Sequence, residues 1–257
     1  MMKNISQHGF RAAIVGFVLV LVQGCATGPN ANPADPLEPF NRGVFSFNEG
    51  VDRAILKPVA TAYRDITPSP VRTGVSNFFG NIGDVWSLVN NVLQAKPKES
   101  LETLLRISFN TVFGFAGVFD IATEMRLEKN TEDFGQTLGY WGVEPGPYLV
   151  LPFFGPSTVR DGLGRVVDTK TDLVNKTKNV RVRNPAIALR AVDTRAGLLN
   201  LSKVIDEAAL DKYTFTRDAY LQHGKSQTGR EGAAEVEERF DLPEATPVPA
   251  SPSPTSK

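Results

Sequence analysis

The sequence predicts an all-α protein. Two observations carry this. Apolar residues recur at steps of three and four in successive stretches between Phe40 and Leu210, and proline or glycine stands near the ends of those stretches. A third is negative: no β-hairpin signal and no internal repeat stands out. The exception to helical patterning is residues 134–156, FGQTLGYWGVEPGPYLVLPFFGP, read as an apolar loop region rich in Gly and Pro.

The chain opens with a basic start (Lys3, Arg11), an apolar run from Ala12 to Val22, and then Gln23-Gly24. This is the pattern of an export signal. The run is about half the ~20 residues a spanning helix needs. Cys25 follows the expected cut and is the single cysteine of the chain, so no internal disulfide is possible. Leu21-Val22-Gln23-Gly24-Cys25 resembles a bacterial lipobox, in which the thiol is acylated after cleavage. An ordinary secretory signal with an accidental cysteine is the competing reading; position and flanks favour the first. Two or more acyl chains anchor a protein stably where one does not. Ala26 after the cysteine resembles the sorting signal for the outer membrane. Residues 1–24 are thus read as signal peptide and 25–36 (CATGPNANPADP) as lipidated N-terminus and flexible tether.

Residues 37–225 are read as one helical domain. Phe40, Val44, Phe45, Phe47, Val51, Ile55 and Leu56 give a first helix with a wide apolar face. Lys57-Pro58 and Thr67-Pro68 are expected to punctuate it. Val75, Phe78, Phe79, Ile82, Val85, Trp86, Val89, Val92 and Leu93 mark the next helix, with Gly80 and Gly83 inviting a kink. Leu101, Leu104, Leu105, Phe109, Val112 and Phe113 mark another, with Pro97 or Ser100 at its start.

Thirteen residues from Ile107 to Phe119 carry no charge. They are too few to span a bilayer as a helix. Two readings stand: a buried core segment, or an element lying in the bilayer with its phenylalanines on acyl chains. Pro145, Pro147, Pro152 and Pro156 argue against regular structure in the loop region. Ser157 is placed as the cap of a helix with Asp161 in its first turn. Apolar stripes from Ile187 to Leu210 give two more helices, and Tyr220 and Leu221 fall on a last polar one. Residues 226–257 are a polar helix remnant and a Pro-rich tail without apolar periodicity.

Composition removes several function classes. Without Lys3 and Arg11 the mature chain has 26 basic and 28 acidic residues, a net charge of −2, which suits no nucleic-acid partner. Of two histidines, His8 leaves with the signal peptide. His223 alone cannot build a His- or Cys-rich zinc site. A hydrolytic triad would need that same residue. No catalytic residue, metal or cofactor is assigned.

Several motifs then occur in a fixed order. They are Asp35-Pro-Leu-Glu-Pro-Phe40-Asn41-Arg42, Lys57-Pro58-Val59-Ala60 with Tyr63-Arg64-Asp65, Ser76-Asn77-Phe78, and Arg106-Ile-Ser-Phe109-Asn110-Thr111. Asp133-Phe134-Gly135-Gln-Thr137-Leu138-Gly139-Tyr140 follows, then Gly146-Pro147-Tyr148 and Leu151-Pro152-Phe153-Phe154-Gly155-Pro156-Ser157-Thr-Val-Arg160-Asp161. Together they resemble the MlaA (VacJ) family of outer-membrane phospholipid-transport lipoproteins. The resemblance implies a ring-like arrangement of amphipathic helices in the membrane plane around a central channel. It implies a non-enzymatic function: phospholipid misplaced in the outer leaflet passes inward and is handed to a periplasmic phospholipid-binding carrier. An outer-membrane porin trimer is the implied partner. A purely scaffolding lipoprotein that binds a porin without moving lipid is the alternative.

A charged headgroup is the costly part of a lipid to bury. A channel must therefore be polar inside and apolar outside. Asn77, Asn81, Asn90, Asn91 and Asn110 are candidate liners, with helix-cap or surface roles as the competing reading. By similarity, Phe134, Gly135, Gln136, Thr137 and Leu138 correspond to a hairpin near the channel and are candidates for a gate. Gly135 and Gly139 suit a segment that bends.

Overall fold

The structure is a computed structural model and describes residue 32 and residues 35–227. The signal peptide, Cys25 and the tail from Pro243 lie outside the described residues. Helix α1 (Glu38–Val51) carries Pro39 in its first turn, where a missing N–H is no loss. A π turn (Asp52–Leu56) joins it to α2 (Lys57–Ile66) without a break. The break expected at Lys57-Pro58 is therefore absent. The Lys57 N–H already reaches Asp52 O through the wide turn, so the ladder has left its regular spacing where proline removes a donor. Thr67, ahead of Pro68, is extended and ends α2.

Helix α3 (Ser69–Leu93) runs unbroken through Gly80 and Gly83. Helix α4 (Pro97–Val112), with Pro97 in its first turn, returns along it. A corner follows in which Phe115, Ala116 and Gly117 take φ of 52°, 58° and 90°. Asp120 then caps the short α5 (Ile121–Glu124).

Helix α6 (Phe134–Tyr140) is capped by Asp133. The loop region next holds a hairpin that the sequence reading missed. Strands β1 (Tyr148–Leu151) and β2 (Gly155–Thr158) pair antiparallel, with Leu151 opposite Gly155. The prolines are tolerated because Pro152 sits in the turn and Pro156 on a strand of a two-stranded sheet, where each strand is an edge. Helix α7 (Val159–Thr171) is capped by Thr158, one residue beyond Ser157; its hydroxyl accepts from the Asp161 N–H at 3.2 Å. Helices α8 (Val180–Gly197), α9 (Leu199–Ala208) and α10 (Lys212–Gln227) complete the described chain.

Packed neighbours close a circuit. Helix α1 lies on β1, the hairpin on α7, α7 on α6, α6 on α3, α3 on α8, α8 on α2, and α2 returns to α1 through the π turn. Arg195 of α8 locks one joint with two bonds to Asp52, at 2.6 and 2.7 Å. A clasp fixes the start of the described body. Asp35 is buried and accepts from Asn41 at 2.8 Å and from the Tyr213 hydroxyl, with Arg217 at 3.6 Å.

The joint between α6 and α7 has no room for a side chain. A Cβ on Gly164 would stand 2.5 Å from the Gly135 nitrogen and 2.7 Å from its Cα. Both are backbone atoms and cannot swing aside. Gly164→Ala is expected to destabilise the fold by about 2–3 kcal/mol through overpacking. Thermal unfolding in detergent measures this; an unchanged midpoint would mean that the two helices part freely.

The distribution of polarity is inverted. Buried side chains include Asn41, Asn81, Asp84, Ser87, Asn90, Asn91, Gln94, Thr103, Arg106 and Asn110. The apolar core is small: Tyr148, Val150 and Tyr213, with Val44, Phe45, Tyr220 and Leu221 against them. Large apolar side chains lie outside instead, among them Val112, Phe113, Phe115, Phe119, Trp141, Phe153 and Phe154. The charge-free run 107–119 thus contributes mostly surface: Phe115 is 78% exposed, while its buried members are Asn110, Gly114 and Gly117. Among the described residues no helix is long and apolar enough to cross a membrane.

Candidate functional site

Two features make up the site: a polar seam between α3 and α4, and a charged cavity on the adjoining side of α3, with Asp84 and Ser87 at the boundary. The seam arises from spacing. Asn77, Asn81, Asp84, Ser87 and Asn91 recur at steps of three and four, so they share one face of α3. Thr103, Arg106 and Asn110 do the same on α4. Asn81 donates to Thr111 Oγ1 at 3.1 Å and Asn91 to Thr103 Oγ1 at 3.4 Å. Asn110 donates to Asp120 Oδ1 at 3.0 Å and accepts from the Ala122 N–H at 2.9 Å. Asn77 donates to Val118 O at 3.2 Å.

Arg106 is the hub of the seam and is 2% exposed. Its guanidinium reaches both Asp120 oxygens at 2.9 and 3.0 Å, Thr123 Oγ1 at 3.2 Å and Leu127 O at 2.6 Å. Burial alone would raise the Asp120 pKa, but hydrogen bonds from Thr123, Asn110 and Arg106 outweigh it and hold that carboxyl at about 2.

A second polar network links α3 to α6. Thr137 donates to Asn90 Oδ1 at 2.8 Å and accepts from Gln94 at 3.0 Å. Gln94 and Lys96 both bond Glu132, at 3.0 and 2.7 Å. The segment Phe134–Leu138, likened to a hairpin, is the first part of α6 instead. Asp133 accepts from the Gln136 N–H at 2.8 Å, which starts a helix there. Gly135 and Thr137 are buried in its packing face.

The cavity has a volume of about 650 Å³. Gly80, Gly83, Asp84 and Trp86 of α3 form one wall. Lys129, Glu132 and Asp133 form the next, Arg165 and Asp168 of α7 with its C-cap Asp172 a third, and Ile187 and Arg190 of α8 a fourth. Its charges are fixed in place. Asp168 accepts from the Trp86 indole N–H at 2.8 Å and from the Phe134 N–H at 3.0 Å. Arg190 donates to Asp172 at 2.6 Å, and Lys129 stands 3.8 Å from Asp84. Burial pushes the Asp84 carboxyl up, against the pull of Lys129 and Arg106. Burial also pushes Asp133 up, against its bond from Gln136.

None of Asn77, Asn81, Asn90, Asn91 and Asn110 lines this cavity. The asparagines join helix to helix, and the cavity is lined by carboxylates and cations that the sequence reading did not single out. Their signal is faint: Asp84 falls on the polar stripe of α3, and Asp168 and Asp172 stand one turn apart at the end of α7, Asp172 as its C-cap. His223 is exposed on α10, away from the cavity lining.

A helical body with polar side chains inside, a charged cavity and large apolar side chains outside defines a protein built to contact lipid. The chain belongs to the MlaA lipoprotein family, whose model, described as "MlaA lipoprotein", matches residues 33–227. It is 36% identical over 219 residues to the "Intermembrane phospholipid transport system lipoprotein MlaA" of Escherichia coli (strain K12), covering 82% of this chain and 86% of that one. The protein of the same name from Haemophilus influenzae is 33% identical over 216 residues, covering 79% and 84%. A chain solved under the heading "Structural basis for maintenance of bacterial outer membrane lipid asymmetry" superposes with a TM-score of 0.65 at 35% identity, covering 76% of this chain and 98% of that chain.

Proposed function

We propose that this chain is an outer-membrane lipoprotein that lets phospholipid misplaced in the outer leaflet pass inward and so maintains lipid asymmetry. The inverted polarity around the 650 Å³ cavity carries this reading. Exposed phenylalanines face acyl chains, and most buried polar side chains find partners within the protein, as a lipid environment requires; Asn81 Oδ1, Asn91 Oδ1, Arg106 Nε and the Tyr148 hydroxyl are the exceptions. The charged cavity offers a headgroup fixed partners in place of water. The body sits in the inner leaflet of the outer membrane, and the acyl groups on Cys25 deliver it there. A periplasmic phospholipid-binding carrier takes the lipid onward, and a porin trimer holds the protein in place. The α6 segment 134–138 follows directly on the cavity-lining cap Asp133, its Phe134 N–H bonds the cavity's Asp168, and it is the candidate gate.

A photoreactive residue at Gly83 tests the reading in cells. Gly83 lines the cavity and has nothing within 4 Å of its Cβ position. A cross-link to phospholipid is the expected product; a cross-link only to protein sinks the conduit and leaves the scaffold. Cys25→Ser is expected to lose acylation and outer-membrane retention. Unchanged fractionation of that variant would show that lipidation is not the essential anchor.

A further inference from the structure

Between Asp172 and Asp193 the chain holds no acidic residue and five basic ones: Lys176, Lys178, Arg181, Arg183 and Arg190. Arg190 is paired with Asp172. The other four have no ion-pair partner among the described residues. Lys176, Lys178 and Arg181 are exposed. In a chain whose charges otherwise balance, this is a concentrated, unneutralised patch.

Its place in the fold is unfavourable for the helix itself. Arg181 and Arg183 stand in the opening turns of α8, which has no acidic residue in its first turn. The positive end of the helix dipole and the arginine charges therefore add rather than cancel. No carboxylate among the described residues pairs with these four cations to offset that repulsion; an anion bound there would. Val180 and Val182, 52% and 57% exposed, alternate with the arginines. Basic and apolar side chains offered together suit the boundary between headgroups and acyl chains. In the sequence the patch lies between two pieces of the cavity wall, Leu173 and Asn175 before it and Ile187 and Arg190 after it, although none of its four residues lines the cavity itself.

Given the conduit function proposed above, we infer that Lys176, Lys178, Arg181 and Arg183 form a rim site for the phosphate of an anionic phospholipid, which enriches that lipid at the cavity mouth. Zwitterionic lipid gains little there, because its ammonium group meets the same cations. Polybasic segments next to a bilayer hold anionic lipid by summed electrostatics, and salt screens the effect.

The test uses the full-length protein with Trp141→Phe, which leaves Trp86 in the cavity wall as its single tryptophan. The protein is reconstituted in phosphatidylcholine vesicles doped with acyl-brominated phosphatidylglycerol or acyl-brominated phosphatidylethanolamine, and Trp86 quenching is followed. Half-quenching is expected at about tenfold less brominated phosphatidylglycerol than phosphatidylethanolamine at low salt. With Lys176→Gln, Lys178→Gln, Arg181→Gln and Arg183→Gln together, the two curves should merge while the phosphatidylethanolamine curve stays in place. Equal quenching by both lipids in the parent overturns the rim site and leaves the conduit. A preference that survives the four substitutions also overturns it. Absence of quenching by either lipid overturns the lipid-filled cavity, and the rim site with it.

Discussion

Arg106→Leu is expected to destabilise the folded body by about 3–5 kcal/mol, the size of breaking a buried ion pair from one side. Arg106 is almost wholly buried and donates to Asp120, Thr123 and Leu127 O, tying α4 to the corner and to α5. Leucine fills part of the space but leaves the Asp120 carboxylate with one charged donor fewer and Asp84 without its neighbour at 4.0 Å. Arg106→Lys keeps the charge but cannot make the forked pair, so it should fall between. Denaturant unfolding in detergent measures both. An Arg106→Leu protein as stable as the parent would mean that the α3–α4 seam does not hold the fold.

Acid adds an independent readout. Asp120 is held at about 2 against an ordinary 3.8. Its folded pKa is depressed, so its contribution is present above 3.8 and is lost as the pH falls from there to about 2. Removing Arg106 takes away one of the groups that hold it down. The folded pKa rises and the window narrows: the loss of Asp120's contribution still begins near its ordinary value, but it is smaller and is complete at a higher pH.

Much of this fold is legible in the sequence because helices declare themselves through periodicity. The stripes from Val75 to Leu93 and from Leu101 to Phe113 fall on α3 and α4. Pro97 fits its first turn because that position needs no donor. Periodicity gives a face but not what the face meets. The asparagine stripe of α3 is polar whether it lines water or packs on another helix, and the structure sets it against α4 and the corner. The apolar stripes carry the same ambiguity. Val112 and Phe113 fit a buried core or a lipid-facing surface equally well by period, and they are surface.

The cavity was less legible for a different reason. Its walls come from α3, from residues 129–133, and from α7 and α8, brought together by a closed circuit that no local motif encodes. The hairpin stayed hidden because four prolines argue against a central strand and say little about a two-stranded edge pair. Pro58 misled for a related reason, since a π turn can absorb a missing donor that a regular helix cannot.

Gly83→Trp is expected to abolish phospholipid passage while leaving the fold intact. Gly83 is on the cavity wall of α3, and its Cβ would meet nothing within 4 Å. Helix α3 gains from any residue other than glycine or proline there, so backbone strain is not introduced. The indole would enter the cavity beside Asp84 and Trp86 and narrow the path through it. Gly83→Ala is the control: a methyl group leaves the cavity open and should stabilise the helix by roughly 0.5–1 kcal/mol. Cells carrying the tryptophan variant should show raised surface phospholipid and detergent sensitivity, as a deletion would, with normal protein level and normal porin association. Cells carrying the alanine variant should match the parent. A scaffold that only grips a porin predicts no difference between the two, because neither substitution touches an outer face. Normal asymmetry with tryptophan at this position would therefore remove the cavity from the path of the lipid, even if the protein still contacts the membrane through its phenylalanines.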